Sequence, residues 1–155
     1  MDKIQFKNVT FKDCRFIYNL KFSREVRKNS LNKKKASYKS HQNWLQKQIA
    51  NKKSLFLIIK NKKKLNERLG YIRLDFKNFY YRVTIAILKN KTNKNYGFQA
   101  LLEAEKKVKT NSILIAEVIK SNTRSIKLFK KCKYSLIAQK KKIKIFIKFT
   151  KKNEK

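Results

Sequence analysis

The chain contains no proline and only two glycines, Gly70 and Gly97, in 155 residues. Proline presets the backbone of many turns, and glycine supplies left-handed conformations without steric cost. The corners here must therefore be made by clusters of Asn, Asp, Ser and Lys. Each glycine then marks a place where something specific is required.

Between those clusters the apolar residues fall into clear periods. Residues 3–9 alternate and predict a first strand. Asp13 is placed to cap a short helix running to about Phe22, and residues 23–37 read as a polar connector. Ser40 opens a helix with Trp44, Leu45 and Ile49 at helical spacing. SLFLIIK (54–60) predicts a buried strand, and 61–68 a charged turn. LGYIRLDF (69–76) and YYRVTIAIL (80–88) predict a hairpin closed by a short turn. After a polar loop, 96–110 predicts an amphipathic helix with Ala100, Leu101, Ala104 and Val108 on one face. Residues 112–119 predict another buried strand. Asn122 caps a helix that turns Ile126 and Phe129 inward, and 135–150 form a last strand pair. The order is β-α-α-β-β-β-α-β-α-β-β, an α/β (α+β) arrangement in one domain, 1–150, followed by a disordered basic tail, 151–155.

The net charge is +34, yet 41% of residues are hydrophobic and 12% aromatic, which argues against disorder. The lysines are scattered through every segment rather than gathered on an arm, so the charge reads as compositional drift. Such a surface still attracts polyanions nonspecifically. Two cysteines without metal spacing and a single histidine predict no metal site and suit a reduced, cytoplasmic compartment. The N-terminal MDKIQFKNVTFKD lacks a long apolar run, so no signal peptide is expected. No stretch approaches the roughly 20 apolar residues that span a bilayer.

Two segments carry a resemblance. IAILKNKTNKNYGFQALLEAE (85–105) resembles the loop and helix of GNAT acetyltransferases, where Q/R-x-x-G-x-G/A joins a central strand to a helix. Gly97 takes the last glycine position, Asn95 the first, and Thr92 the Q/R position. Asn95 is a workable substitute because Asn tolerates left-handed backbone. A helix N-terminus offers unpaired amides and a positive dipole end. The resemblance therefore implies that Thr92, Asn93, Lys94, Asn95, Tyr96, Gly97 and Phe98 surround the diphosphate of acetyl-CoA. AEVIKSNTRSIKLFKKCKY (116–134) resembles the family segment E-V-x-x-x-N-x-x-S/A-x-x-L-Y/F, with Asn122, Ser125, Leu128 and Phe129 in register. In the family that asparagine helps bind the pantetheine arm; read alone, Asn122 is an N-cap. Lys133 stands where a glycine is usual, in a left-handed turn that costs about 1 kcal/mol. Cys132 occupies an apolar position, as a buried, inert thiol.

The resemblance implies a GNAT fold, a mixed sheet of six or seven strands with about four helices, and N-acetyl transfer from acetyl-CoA to an amine. Glu117 matches a family general base, and its apolar run ILIAEVI leads us to expect a raised pKa. A strand-end carboxylate paired with a lysine is the structural alternative. Backbone amides near Ile87 and Leu88 are expected to receive the oxyanion. Phe129 stands at the family's tyrosine position and cannot donate a proton, which leaves Tyr96, Tyr134, water or an unassisted thiolate.

The N-terminal half resembles acetyltransferases of nucleotide-linked amino sugars through Arg27, Ser30, His41 and Trp44, with Arg73 in GYIRLD. The implied acceptor is a nucleotide-linked 4-amino-4,6-dideoxy sugar. Trp44 and His41 also read as core residues of a helix. Three other readings stand beside this one: an acetyltransferase of protein N-termini or ribosomal proteins, a CoA-binding relative without turnover, and a non-enzymatic RNA-binding protein. The protein is expected as a monomer or a homodimer.

Overall fold

A computed structural model describes residues 2–151, so the tail at 152–155 lies outside the described residues. The chain runs β1 (Ile4–Asn8), a 3-10 turn (Phe11–Asp13), α1 (Cys14–Lys21), α2 (Arg24–Lys28), α3 (Tyr38–Ala50), β2 (Leu55–Asn61), β3 (Arg68–Lys77) and β4 (Tyr80–Ile87). It continues through a 3-10 turn (Lys89–Lys91), α4 (Tyr96–Glu105), β5 (Ile113–Ile119), α5 (Thr123–Lys131), β6 (Ser135–Gln139) and β7 (Ile143–Phe149).

The element order follows the sequence reading, with three local differences. The polar connector holds α2, a single turn that Ser23 begins by accepting a hydrogen bond from Val26 N–H at 3.4 Å. Only Val26 is apolar within it, so no periodicity announces it. α3 starts at Tyr38 because Ser37, rather than Ser40, is the cap: Ser40 N–H donates to Ser37 Oγ at 3.1 Å. α4 stops at Glu105, and the chain turns so that Val108 packs on the core and Asn111 N–H reaches Thr150 O at 2.9 Å.

The seven strands form one sheet in the order β1-β2-β3-β4-β5-β7-β6. Every neighbouring pair is antiparallel except β4 and β5, which are parallel. One face packs Leu57, Ile72, Leu74 and Leu114 against Ala100 and Leu101 of α4 and Ile126 and Phe129 of α5. The other packs Ile58, Tyr71 and Ala86 against Ile17 of α1 and Leu45 of α3. Fully burying a large aliphatic side chain contributes about 1.5–3 kcal/mol. Strand alternation thus fixes which residues of β3, β4 and β5 look toward α1–α3 and which toward α4 and α5.

The corners are made as the composition requires. The non-glycine residues with positive φ are Asn78, Asn93, Asn95, Asn111 and Lys133, while neither glycine has positive φ. Lys133 turns left-handed at φ 67° and closes α5, with Tyr134 N–H donating to Phe129 O at 3.0 Å. The glycines serve close approach instead. A Cβ on Gly70 would lie 2.1 Å from Ala86 O, and one on Gly97 would lie 3.2 Å from Leu128 Cδ2.

Candidate active site

β4 and β5 pair only at Tyr80↔Ile113, Tyr81↔Leu114 and Arg82↔Ile115. Beyond those residues the strands part, and a cleft of about 400 Å3 opens between them. Val83 and Ile85 line it from one sheet face, Thr84 and Ala86 from the other. The cleft therefore passes through the sheet. A second cavity of about 680 Å3 lies between the 91–98 loop and α5. The two adjoin at Ile87, Thr92, Arg124 and Leu128, which line both.

The second cavity is lined by helix-start amides and by cations. Gln99 is the first residue of α4 whose N–H donates to a backbone carbonyl, that of Asn95, at 3.1 Å. The amides of Tyr96, Gly97 and Phe98 thus lack helical partners, and all three residues line the cavity. Left-handed Asn93 (φ 61°) and Asn95 (φ 66°) bend the loop to present them. Arg124, Lys127 and Lys131 add charge from α5. Lys91 also lines the cavity, but Glu67 holds its ammonium in an ion pair and accepts a hydrogen bond from buried Asn61 at 2.9 Å. That pairing raises the Lys91 pKa and lowers that of Glu67. Lys94 is exposed and lines neither cavity, so the charge expected from it comes from α5 instead.

The oxyanion donors need a similar correction. Leu88 N–H donates to Leu69 O at 2.9 Å and is therefore committed to β3. In an antiparallel ladder the amides alternate between the two edges. With the register Gly70↔Ile87 and Tyr71↔Ala86, the Ile87 amide faces the gap beside β5. Of the two expected amides, that of Ile87 faces the gap and that of Leu88 does not.

At the start of α5, Asn122 Oδ1 accepts from Ser125 N–H at 3.2 Å while its Nδ2 donates to Ser125 Oγ at 2.9 Å. Both residues line the through-sheet cleft, as does buried Phe129. Of the two tyrosines considered as acids, Tyr134 lines neither cavity, and burial raises its pKa. Tyr96 donates to Asp2 Oδ2 at 3.3 Å, and its pKa is also raised by burial. Neither lines the cleft. Tyr71 does line it, as a phenol pushed up to about 12 by burial.

Glu117 lies on the cleft wall, but not in the apolar setting its neighbours in sequence suggest. Its side chain is 33% exposed and has Arg82 Nη2 at 3.6 Å from Oε2. Leu114, Ala116 and Val118 face the opposite, buried side of β5. The partner is an arginine from β4 rather than one of the many lysines.

The α1–α3 side supplies the rest of the wall. Arg27, Ser30 and Arg73 line the cleft. His41 and Trp44 do not. They sit behind it in an aromatic cluster, with their rings 5.1 Å apart, Tyr18 5.2 Å from His41 and Phe56 6.0 Å from Trp44. Sequence reasoning missed Lys21, Glu25, Arg82 and Arg124, all on the wall. Lys21 Nζ stands 3.7 Å over the Trp44 ring, and Arg124 Nη1 lies 3.7 Å from Glu25 Oε1 across the cleft. In a chain with 43 basic residues, nothing in the sequence separates these few from the others.

Burial, reinforced by the nearby Lys21 charge, pulls the His41 pKa down to about 4, and the residue is only 2% exposed. Above pH 6.5 this ring is neutral in both folded and unfolded chains. As pH falls from about 6.5 to 4, the unfolded chain takes up a proton that the folded ring refuses. Stability should therefore drop by up to about 1.4 kcal/mol per pH unit across that window. Urea unfolding midpoints against pH would show this slope. His41→Phe should flatten it, and an unchanged slope would refute the assignment.

Comparison with known proteins decides the family. The family model for the Acetyltransferase (GNAT) family matches residues 15–134. The chain belongs to the GNAT acetyltransferase family. Spermidine N-acetyltransferase from Vibrio cholerae, solved with CoA and spermine, has a similar fold, with a TM-score of 0.81, 95% of both chains covered and 13% identity. A domain from Methanocaldococcus jannaschii gives 0.81, 16% identity and coverage of 96% of this chain and 99% of that one. A GNAT-family acetyltransferase from Bacillus anthracis gives 0.78, 16% identity and coverage of 97% and 99%. No curated protein matches the chain. This GNAT chain is an N-acetyltransferase whose acetyl donor is acetyl-CoA. The residues present fit that donor: unpartnered amides and α5 cations suit the diphosphate, and the gap between β4 and β5 suits a thin, extended arm. Among the described residues no helix is long and apolar enough to cross a membrane.

Proposed function

We propose that this enzyme acetylates an amine carried by an anionic small molecule, an amino sugar linked to a nucleotide. The observation that carries this reading is the charge of the through-sheet cleft. Lys21, Arg27, Arg73, Arg82 and Arg124 line it against two carboxylates, Glu25 and Glu117, each of which already has an arginine partner. Such a wall attracts a diphosphate and repels a polyamine or a basic peptide. The free, buried thiols of Cys14 and Cys132 suit work in a reduced cytoplasm.

Bound acetyl-CoA supplies an activated acyl carbon. Glu117 takes the proton from the acceptor's ammonium, and Arg82 fixes where that carboxylate sits. The Ile87 amide donates to the oxygen on which charge develops. A thiol of pKa about 8.5 is a fair leaving group, so the missing tyrosine at Phe129 is tolerable.

Two experiments test the reading. Acetyl-CoA should bind one site at physiological salt, and ATP, a matched polyanion, should not. Mass spectrometry should then find acetyl groups on a nucleotide-linked amino sugar in preference to the free amino sugar, spermidine or a lysine-rich peptide. Equal use of the free sugar, or turnover of spermidine or the peptide alone, would overturn the anionic acceptor. RNA binding that survives physiological salt would favour the nucleic-acid reading instead.

A further inference from the structure

Among the described residues, Lys21 is the one lysine on the wall of the through-sheet cleft. It is the last residue of α1 and shares that cleft with Ile85, Ile87 and Glu117. Its ammonium lies over the Trp44 ring at 3.7 Å and 5.5 Å from the centre of Phe22. Among the described residues no carboxylate comes within ion-pair distance of it, and Asp75 is bound to Arg73 at 3.1 Å. The amine is held in a partly desolvated pocket on the cleft wall, against the face of Trp44.

We propose that, when no acceptor is bound, the enzyme acetylates its own Lys21. This rests on the acetyl-transfer reading of the same cleft. The Nζ lone pair forms an amide bond to the acetyl carbon, the carbon–sulfur bond breaks, and its electron pair leaves on sulfur. The nitrogen gives up its proton to solvent, and nothing is oxidised or reduced. The product removes a cation from beside Arg73 and lowers turnover of the modified enzyme, whereas an acceptor already seated in the cleft keeps Lys21 unmodified.

The environment makes the amine available. Burial and the Arg73 charge pull the Lys21 pKa down to about 8. Arg73 and Asp75 face it from β3 and His41 from α3. Glu25 and Arg27 of α2, Arg82 of β4, Glu117 of β5 and Arg124 of α5 share the cleft. His41 is already neutral above about pH 4.

The test is incubation of the purified protein with acetyl-CoA and no acceptor, followed by peptide mass spectrometry. One acetyl group should appear on Lys21 before any surface lysine, at a rate independent of protein concentration. Its rate should rise about tenfold per pH unit below pH 8 and level off above. Trace labelling with acetic anhydride, without acetyl-CoA, should give a reactivity midpoint for Lys21 near 8. K21R should abolish the cleft adduct. An unmodified Lys21 in enzyme that turns over an external amine would overturn this inference alone. Acetylation spread evenly over surface lysines would overturn it too. If acetyl-CoA fails to bind, this inference and the reading beneath it both fall.

Discussion

Gly70→Ala should lose roughly 3–5 kcal/mol of stability, the severe end of the range for one substitution. The added Cβ would stand 2.1 Å from Ala86 O and 3.0 Å from both Ala86 C and Ile87 Cα. All three are backbone atoms, so no rotamer change relieves the clash and β3 must move away from β4. The same register aims the Ile87 amide into the gap, so any protein that still folds should also lose activity. Gly97→Ala is the control. Its Cβ would come closest to Leu128 Cδ2 at 3.2 Å, the end of a flexible side chain, with the other two atoms at ordinary contact distance, and alanine favours helix by about 1 kcal/mol over glycine. Urea unfolding of both variants separates the two cases. A wild-type midpoint for Gly70→Ala would refute the close-approach argument.

Glu117→Gln should lower kcat by about 100- to 10,000-fold, the usual contribution of a positioned general base. Glutamine keeps the size of the side chain but cannot accept the amine's proton. The KM for acetyl-CoA should barely change, because Glu117 does not line the cavity beside the 91–98 loop. Arg82→Ala should give a smaller loss, since it removes the group that orients Glu117 and leaves the base itself. Activity of Glu117→Gln within a few-fold of wild type would remove Glu117 from the chemistry.

What the sequence revealed depended on how local the determining physics was. The strands around Ile58, Ile72 and Leu114 and the helix around Ala100 and Leu101 were legible because their periodicity is written in neighbouring residues. So was the left-handed Asn95, since few residues other than glycine accept that conformation. Glu117 shows where such reading fails. Its neighbours in ILIAEVI are apolar, but in a strand the adjacent residues face the other way, and its true environment is Arg82, 35 positions earlier. Leu88 failed for a related reason: which of two successive amides faces a gap depends on strand register. Lys94 lay close to the loop in sequence, whereas Arg124, Lys127 and Lys131 reach it through the packing of α5 beside α4. His41 and Trp44 carried the right residue types for a ligand wall and were spent on an aromatic cluster, with Lys21 standing between Trp44 and the cleft.

The three-residue pairing of β4 with β5 has a thermodynamic meaning as well as a chemical one. It divides the sheet into a block of β1–β4 and a block of β5–β7, held together edge to edge by the shortest ladder in the sheet apart from the helices that straddle it. Past Arg82 and Ile115 the facing backbone edges are left without each other as partners. An occupant of that gap supplies what a further stretch of strand would have supplied, and it binds the folded chain alone. Donor binding and cohesion of the two blocks are therefore one equilibrium seen from two sides. In a cell where acetyl-CoA rises and falls, the resistance of this protein to unfolding and proteolysis follows the supply of its own substrate.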